Sequence, residues 1–358
     1  MENRLILAIN PGSTSTKIAI YENTRSVFVK SILHDSNELK QFDKIADQFY
    51  FRKDIVLKEL ELANIPIENI IIVMGRGGLL KPIPSGIYAV NEKMKADLIT
   101  GIQGQHASNL GGLIADDIAR SLPNAKAYIV DPVVVDELIN EARLTGLPQF
   151  KRRSIFHALN HKSIARIHAK TIGKNYEDLN LIITHMGGGI SIGAHNKGKV
   201  IDVNQALDGE GPLTPERSGT LPVGDIINAC YEGNYSRNQL QKMVTGEGGF
   251  IAYFGTNDAR KIEKLAFTGD EQAILIQNTL GYQVAKYIGA MAAVLKGNVD
   301  YVLITGGLAH NKTIVEYITD RVKFIAPVLV YPGEDEMRAL AFNASLILNN
   351  EADVMEYI

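Results

Sequence analysis

Three stretches of this 358-residue chain place glycine, with or without Ser, Thr and Asn, directly after an apolar run. They are Asn10–Lys17 after Leu5–Ile9, Gly187–Gly189 after Leu181–His185, and Gly306–Gly307 after Tyr301–Thr305. Glycine lets backbone N–H groups close on an anion, and hydroxyls nearby add donors. One such loop is commonly a plain connector. Three at strand ends, in two stretches of similar order, predict a phosphate chain held in a cleft between two domains.

The common phosphate and metal signatures are absent. Lys17 is not preceded by glycine, so there is no G-x-x-x-x-G-K-[ST] loop, and no G-x-G-x-x-G occurs. Neither H-E-x-x-H nor C-x-x-C is present. Gly189-Ile190-Ser191-Ile192-Gly193 fits G-x-S-x-G, but a nucleophile elbow needs a helix after the serine. Strand-like residues follow, so Ser191 reads as a strand residue.

Charged candidates flank the glycines. Arg76 lies between Gly75 and Gly77 after an apolar run, and Arg217 lies in the loop stretch Leu213–Thr220. Each reads either as an oxyanion fork or as a solvated surface arginine. His157 and His161 are spaced i, i+4 at a helix start, so both can point one way. A zinc pair there lacks a third ligand. Asp131 ends a strand, where a carboxylate can reach a cleft.

The elements that must carry these residues follow from periodicity. Leu5–Ile9, Ile18–Tyr21, Ile70–Met74 and Ala127–Val130 read as strands, and Leu39–Leu62 and His106–Leu122 as helices, the second with Ser108 as N-cap. The order then restarts with strands at Leu181–His185, Ile190–Ala194, Val200–Val203 and Tyr301–Thr305, a long helix from about 270 to 296, and a helix after Pro332. This predicts two related α/β domains, residues 1–155 with a returning segment at about 332–358, and residues 156–331.

Composition excludes several classes. Lys+Arg total 37 against 40 Asp+Glu, for a net charge of −3. No nucleic-acid or membrane-surface partner is expected. The single cysteine, Cys230, cannot form an internal disulfide and fits a reducing, cytoplasmic setting. The longest apolar candidate, Ala273–Leu295, carries Gln277, Asn278, Gln283 and Lys286 and reads as a core helix. No leader pattern is read at the N-terminus.

With these residues in view, a family resemblance emerges. Leu5-Ile6-Leu7-Ala8-Ile9-Asn10-Pro11-Gly12-Ser13-Thr14-Ser15-Thr16-Lys17 resembles the first signature of the acetokinase family, the acetate, butyrate and branched-chain carboxylic acid kinases. His185-Met186-Gly187-Gly188-Gly189-Ile190-Ser191 resembles its second phosphate loop. The stretches Asp131–Asp136, Arg152–His161 and Pro332–Met337 follow in the family's order. Pro11, and Ala158-Leu159-Asn160 before His161, depart from the acetate kinase pattern toward the butyrate branch.

The resemblance implies an α/β fold of two related actin-like, ribonuclease H-like ATPase domains with an interdomain cleft. It implies the reaction ATP + butanoate giving ADP + butanoyl phosphate, with Mg²⁺, or the same transfer to a branched or shorter acid. In this reading Arg76 meets the carboxylate or the transferring phosphoryl, Arg217 is the second arginine, and His157 steadies the transition state. Asn10, Ser13, Ser15 and Lys17 serve phosphate, as do Gly187, Gly188 and Gly189. His185 orients that second loop, and His106 has a mainly structural or substrate-side role. Gly306 and Gly307 pass near adenosine. Asp131 helps hold the metal, with a second acid from Glu334-Asp335-Glu336, preferably Glu336. A homo-oligomer is the family expectation. A sugar kinase or polyphosphatase, or an ATP-dependent scaffold of the same fold, is the alternative.

Overall fold

Every residue of Leu5–Pro11 (β1) is buried, as a run of Leu and Ile in a central strand requires. The computed structural model of the protein describes residues 4–333 and 335–358. Its chain divides into two compact units, residues 1–135 with 335–358, and residues 136–334.

In the first unit β1 turns back into Ser15–Glu22 (β2), which pairs with Arg25–Leu33 (β3), both antiparallel. Ile70–Arg76 (β4) then lies parallel to β1 on its other side. Ile87–Ala89 (β5) and Lys126–Val130 (β6) extend the sheet beyond β4. The helix Asn109–Arg120 packs on β4 and β6.

The second unit repeats this order. Asn180–Met186 (β7), Ile190–Asn196 (β8) and Lys199–Val203 (β9) form an antiparallel meander. Tyr301–Gly306 (β10) lies parallel to β7, and Val328–Pro332 (β11) lies parallel to β10. Along the first sheet the strands run β3-β2-β1-β4-β6, and along the second β9-β8-β7-β10-β11. The sense of every pairing matches, so the two sheets are one design used twice. The long helix Glu271–Val294 packs on β8 and supplies Ile276, Leu280, Val284 and Ile288 to the second core.

The last strand, Val354–Glu356 (β12), pairs with β5. Tyr357 after it is 1% exposed, and its hydroxyl donates to the Asp97 carboxylate at 2.7 Å. That contact fixes the returning segment to the first unit.

Three details differ from the sequence reading. The helix expected over Leu39–Leu62 begins only at Phe49. Before it lie only the single helical turn Ser36–Leu39 and the 3-10 turn Ile45–Gln48, and Asp35 and Asp47 accept from the N–H groups of Asn37 and Lys44 there, side-chain bonds that compete with a continuous helix. Ser108 sits at the N-cap but makes no cap bond, because its hydroxyl meets His106 Nδ1 at 2.8 Å. Finally, the sequence put the domain junction at 155/156, whereas the units divide at 135/136. Residues 136–155 are tied into the second unit by charge. Glu137 binds the buried Lys162 at 2.7 Å, and Arg152 binds Asp202 at 2.9 Å and Glu210 at 2.7 Å.

Candidate active site

The first unit gathers three of the sequence candidates at the end of its sheet. Because β1 and β4 are parallel, with Ile9 opposite Gly75, Asn10 and Arg76 emerge side by side. Arg76 is the last residue of β4, not a loop residue beyond it. Gly75 makes this possible. A Cβ there would lie 2.2 Å from the Gly111 carbonyl oxygen, so only glycine lets the helix Asn109–Arg120 close on the strand end.

The helix Glu336–Leu348 supplies the third member. Asp335 caps it by accepting from the Arg338 N–H at 2.9 Å, which leaves Glu336 as its first residue. The Arg76 guanidinium forks onto that carboxylate, Nη1 to Oε2 at 3.2 Å and Nη2 to Oε1 at 3.1 Å. Nη1 also donates to Asn10 Oδ1 at 3.2 Å, and Asn10 Nδ2 donates to Glu336. Both charged side chains keep some exposure, 21% for Arg76 and 16% for Glu336. Glu334 lies outside the described residues.

Most of the first glycine loop is strand. Asn10 and Pro11 belong to β1, and Ser15, Thr16 and Lys17 to β2, with Asn10 opposite Lys17 in the ladder. Only Gly12–Thr14 forms the turn, where the Gly12 N–H donates to the Ser15 carbonyl at 2.7 Å. Ser13 and Lys17 are exposed, and Ser15 is half-buried. Behind the turn lies a residue the sequence reading missed. Arg52 is fully buried and donates to the carbonyls of Gly12 at 2.7 Å, Ser13 at 3.1 Å and Ser15 at 3.0 Å. Gln48 and the Thr16 hydroxyl take further donors. Burial pulls the guanidinium down to about 10. A signal existed: Arg52 has no acid three or four residues away in its own helix.

Asp131 follows β6 with a φ of +37°, a conformation most side chains avoid. It is 1% exposed, and one of its carboxylate oxygens accepts from the Gly86 N–H at 2.8 Å. Among the described residues no three His, Cys, Asp or Glu side chains gather into a metal cluster. Mg²⁺ takes one or two carboxylates and completes its shell with water and phosphate oxygens. Asp131 and Glu336 are hard oxygen donors of that kind, so these residues fit such an ion.

In the second unit the helix Ala158–Thr171 starts at His157, which stacks on His185 with ring centroids 4.3 Å apart. Asn160 Nδ2 and His185 Nδ1 are 3.2 Å apart. His185 is the penultimate residue of β7, so the same strand end carries Gly187–Gly189. The turn is closed by Gly187 N–H to the Gly189 carbonyl at 2.9 Å, and the Thr214 hydroxyl donates to the Gly188 carbonyl at 2.6 Å.

Arg217 lies across this loop. A Cβ on Gly189 would come within 1.9 Å of Arg217 Nη1. Nη1 donates to the Ala206 carbonyl, while Nε is buried with no partner among the described residues. A buried N–H without an acceptor is costly, and an anion is the natural group to satisfy it. Burial lowers the Arg217 pKa, and Glu216 opposes the shift. Gly306 ends β10 and exchanges backbone bonds with Gly333 at 3.1 and 3.0 Å, and around Gly307 a side chain would meet only open space. His106, by contrast, is exposed and bonded to Ser108.

Similarity to known proteins accords with this geometry. The model of the Acetokinase family matches residues 115–341. Butyrate kinase 2 of Clostridium acetobutylicum is 53% identical over 352 residues, which span 98% of this chain and 99% of that protein. Butyrate kinase 1 of the same organism is 52% identical over 352 residues, with the same coverage. The crystal structure of Porphyromonas gingivalis acetate kinase matches with a TM-score of 0.78 at 20% identity, over 96% of this chain and 99% of that one. That likeness bears out the expected α/β, actin-like ATPase fold. With sequence similarity running nearly end to end and the same fold beneath it, this chain belongs to the acetokinase family.

Proposed function

We infer that the protein phosphorylates a short-chain carboxylate with ATP, taking butanoate to butanoyl phosphate and ADP. The observation that carries this reading is the grip of Arg76 on Glu336. The fork already holds a carboxylate by both oxygens. A substrate carboxylate can take the place of Glu336 on the same two N–H groups.

The chemistry asks for little else. A carboxylate is ionised at neutral pH, so no general base is needed. Its obstacle is repulsion, because an anion must approach a phosphoryl group that is also anionic. Catalysis then rests on alignment and fixed positive charge. Arg76 neutralises and orients the attacking carboxylate. Arg217, with its Nε donor open, takes a phosphoryl oxygen, and His157 donates a second hydrogen bond there. His185, stacked on His157, keeps that ring and the glycine loop in place.

Asn10, Ser13, Ser15 and Lys17 contact phosphate from the first hairpin, and Gly187, Gly188 and Gly189 offer backbone N–H groups from the second. Gly306 and Gly307 leave room for the adenosine. Asp131 and Glu336 would hold Mg²⁺, which would draw charge from the phosphates when bound. The need for ATP fits a cytoplasmic enzyme, and the family resemblance suggests a homo-oligomer. No helix among the described residues is long and apolar enough to cross a membrane.

The test is ³¹P NMR of the protein with ATP, Mg²⁺ and butanoate. An acyl phosphate resonance should grow with that of ADP and be absent without butanoate. ADP and inorganic phosphate alone would make the protein an ATPase, and the reading would fail.

A further inference from the structure

A line of buried polar side chains runs behind His157 in the second unit, and the proposed chemistry does not use it. His157 Nδ1 is 2.8 Å from the Ser191 hydroxyl. The other side of that hydroxyl is 2.9 Å from His161 Nε2. His161 Nδ1 is 3.1 Å from His195 Nε2, and His195 Nδ1 is 2.6 Å from the Tyr176 hydroxyl. Ser191, His161 and His195 are fully buried, and Tyr176 is 4% exposed. The helix Ala158–Thr171 supplies the first ring pair, and β8 supplies Ser191 and His195.

Each neutral imidazole has one donor and one acceptor, and each hydroxyl has one proton to give. Each ring passes the direction on, since it donates from one nitrogen and accepts at the other. The Ser191 hydroxyl could accept from both rings, but its own buried proton finds a partner among the described residues only if it donates to one ring and accepts from the other, and the four protons then run in the same direction. We propose that the line runs from Tyr176 through His195, His161 and Ser191 to His157, and that it fixes His157 with its proton on Nε2. The Tyr176 contact sets the direction. At 2.6 Å it is shorter than N–H donors commonly make, about 2.7–3.2 Å, and suits a phenol O–H donating to nitrogen. His195 then donates from Nε2 to His161 Nδ1, His161 donates from Nε2 to Ser191, and Ser191 donates to His157 Nδ1. The remaining proton of a neutral His157 is on Nε2, the form that can donate to a phosphoryl oxygen.

Other features keep the line in this state. Burial drives both His161 and His195 well below the usual histidine range, and the Lys162 charge adds to it, so both rings stay neutral. Lys162 lies 5.5 Å from the Tyr176 ring centre and is itself paired with Glu137. Phe156 closes edge-on against His161, and His185 covers the His157 ring. Ser191, His161, His195 and Tyr176 are thus positioning residues. They act on the tautomer of His157, as the partner of a ring nitrogen generally does.

This proposal rests on His157 acting in phosphoryl transfer, and its test does not require turnover. The chain has only eight histidines, so ¹⁵N-histidine labelling gives a tractable two-bond ¹H–¹⁵N spectrum, with His157 assigned by its loss in His157→Gln. The unaltered protein should show His157 protonated at Nε2 and bare at Nδ1. Tyr176→Phe and Ser191→Ala should each give a mixture of tautomers. They should lower kcat roughly 10–100-fold while the KM for ATP stays within about twofold. A His157 protonated at Nδ1 in the unaltered protein overturns the proposal whatever the variants do. So does an unchanged His157 spectrum in a folded variant. Acyl phosphate formed by a protein whose His157 carries Nδ1–H would sink the relay alone. An Nε2–H His157 in a protein that forms no acyl phosphate would sink only the functional reading.

Discussion

Glu336 holds Arg76 across 260 positions of sequence, both carboxylate oxygens on both terminal nitrogens of the guanidinium. The pair is only partly shielded from water, so its Coulomb energy is modest, and its meaning lies in geometry. A planar fork matched to a carboxylate stands ready at the end of β4. Lysine keeps the charge and loses the fork. Arg76→Lys should cut kcat/KM for butanoate by about 10²–10³-fold and leave the KM for ATP within about threefold. Steady-state kinetics with each substrate varied in turn checks this, and a lysine variant within fivefold of the parent would show that charge alone suffices.

The closeness of Arg217 to Gly189 gives a second prediction. A methyl at residue 189 would collide with Nη1 at 1.9 Å, so Gly189→Ala must push the guanidinium aside. Displacements of about 1 Å in a catalytic group cost about 10²-fold. The same fall in kcat should appear here, with little change in melting temperature. Full activity in Gly189→Ala would separate Arg217 from the reaction.

Arg52 acts from behind the first hairpin. Arg52→Met keeps apolar bulk but leaves the carbonyls of Gly12 and Ser13 without this donor and that of Ser15 with only the Gly12 N–H. A stranded acceptor that water cannot reach costs about 1–3 kcal/mol, and the exposed Ser13 carbonyl can turn to water, so denaturant unfolding should report a loss of about 1–3 kcal/mol. The KM for ATP should rise about tenfold as the hairpin loosens. A variant that unfolds earlier but binds ATP as before would limit Arg52 to a structural part.

Acid should unfold this protein through its buried histidines. Burial and the nearby Arg52 push His34 down to about 4, and burial lowers His161 and His195 as well. Each pKa is depressed in the folded state, so below the ordinary value of 6.5 the unfolded chain binds more protons. Stability is therefore retained above about pH 6.5 and lost as the pH falls from there toward 4. Melting temperatures between pH 7.5 and 4.5 should decline from about 6.5 downward, and His34→Gln should flatten part of the slope. A profile level to pH 4.5 would mean these rings meet no penalty on charging.

The sequence carried much of this, for identifiable reasons. Runs such as Leu5–Ile9 and Leu181–His185 are long enough in Leu and Ile to mark central strands, and their glycine boundaries mark the turns. The repeated order of strands was therefore readable, as was the pairing of Arg76 with glycine neighbours. Long-range partners were not. Nothing near Arg76 announces Glu336, and nothing near the first hairpin announces Arg52. The interruption between Leu39 and Ile45 is hidden because Asp35 and Asp47 compete for backbone through side-chain bonds that leave the apolar period intact. Ser191 was rightly read as a strand residue, but its place between His157 and His161 depends on β8 lying against a helix that begins some thirty residues earlier.

Trapping the product with hydroxylamine reaches the central claim most directly. The protein, ATP, Mg²⁺ and straight-chain acids of two to six carbons are mixed, and acyl hydroxamate is read as its ferric complex, beside Arg76→Ala and Arg217→Ala. Each buried methylene is worth about 0.8 kcal/mol, so butanoate should outrun acetate by ~10–50-fold, and both alanine variants should yield almost no product. Hydroxamate from no acid at all, or equal yields from parent and both variants, would contradict an enzyme that joins two anions by means of these arginines.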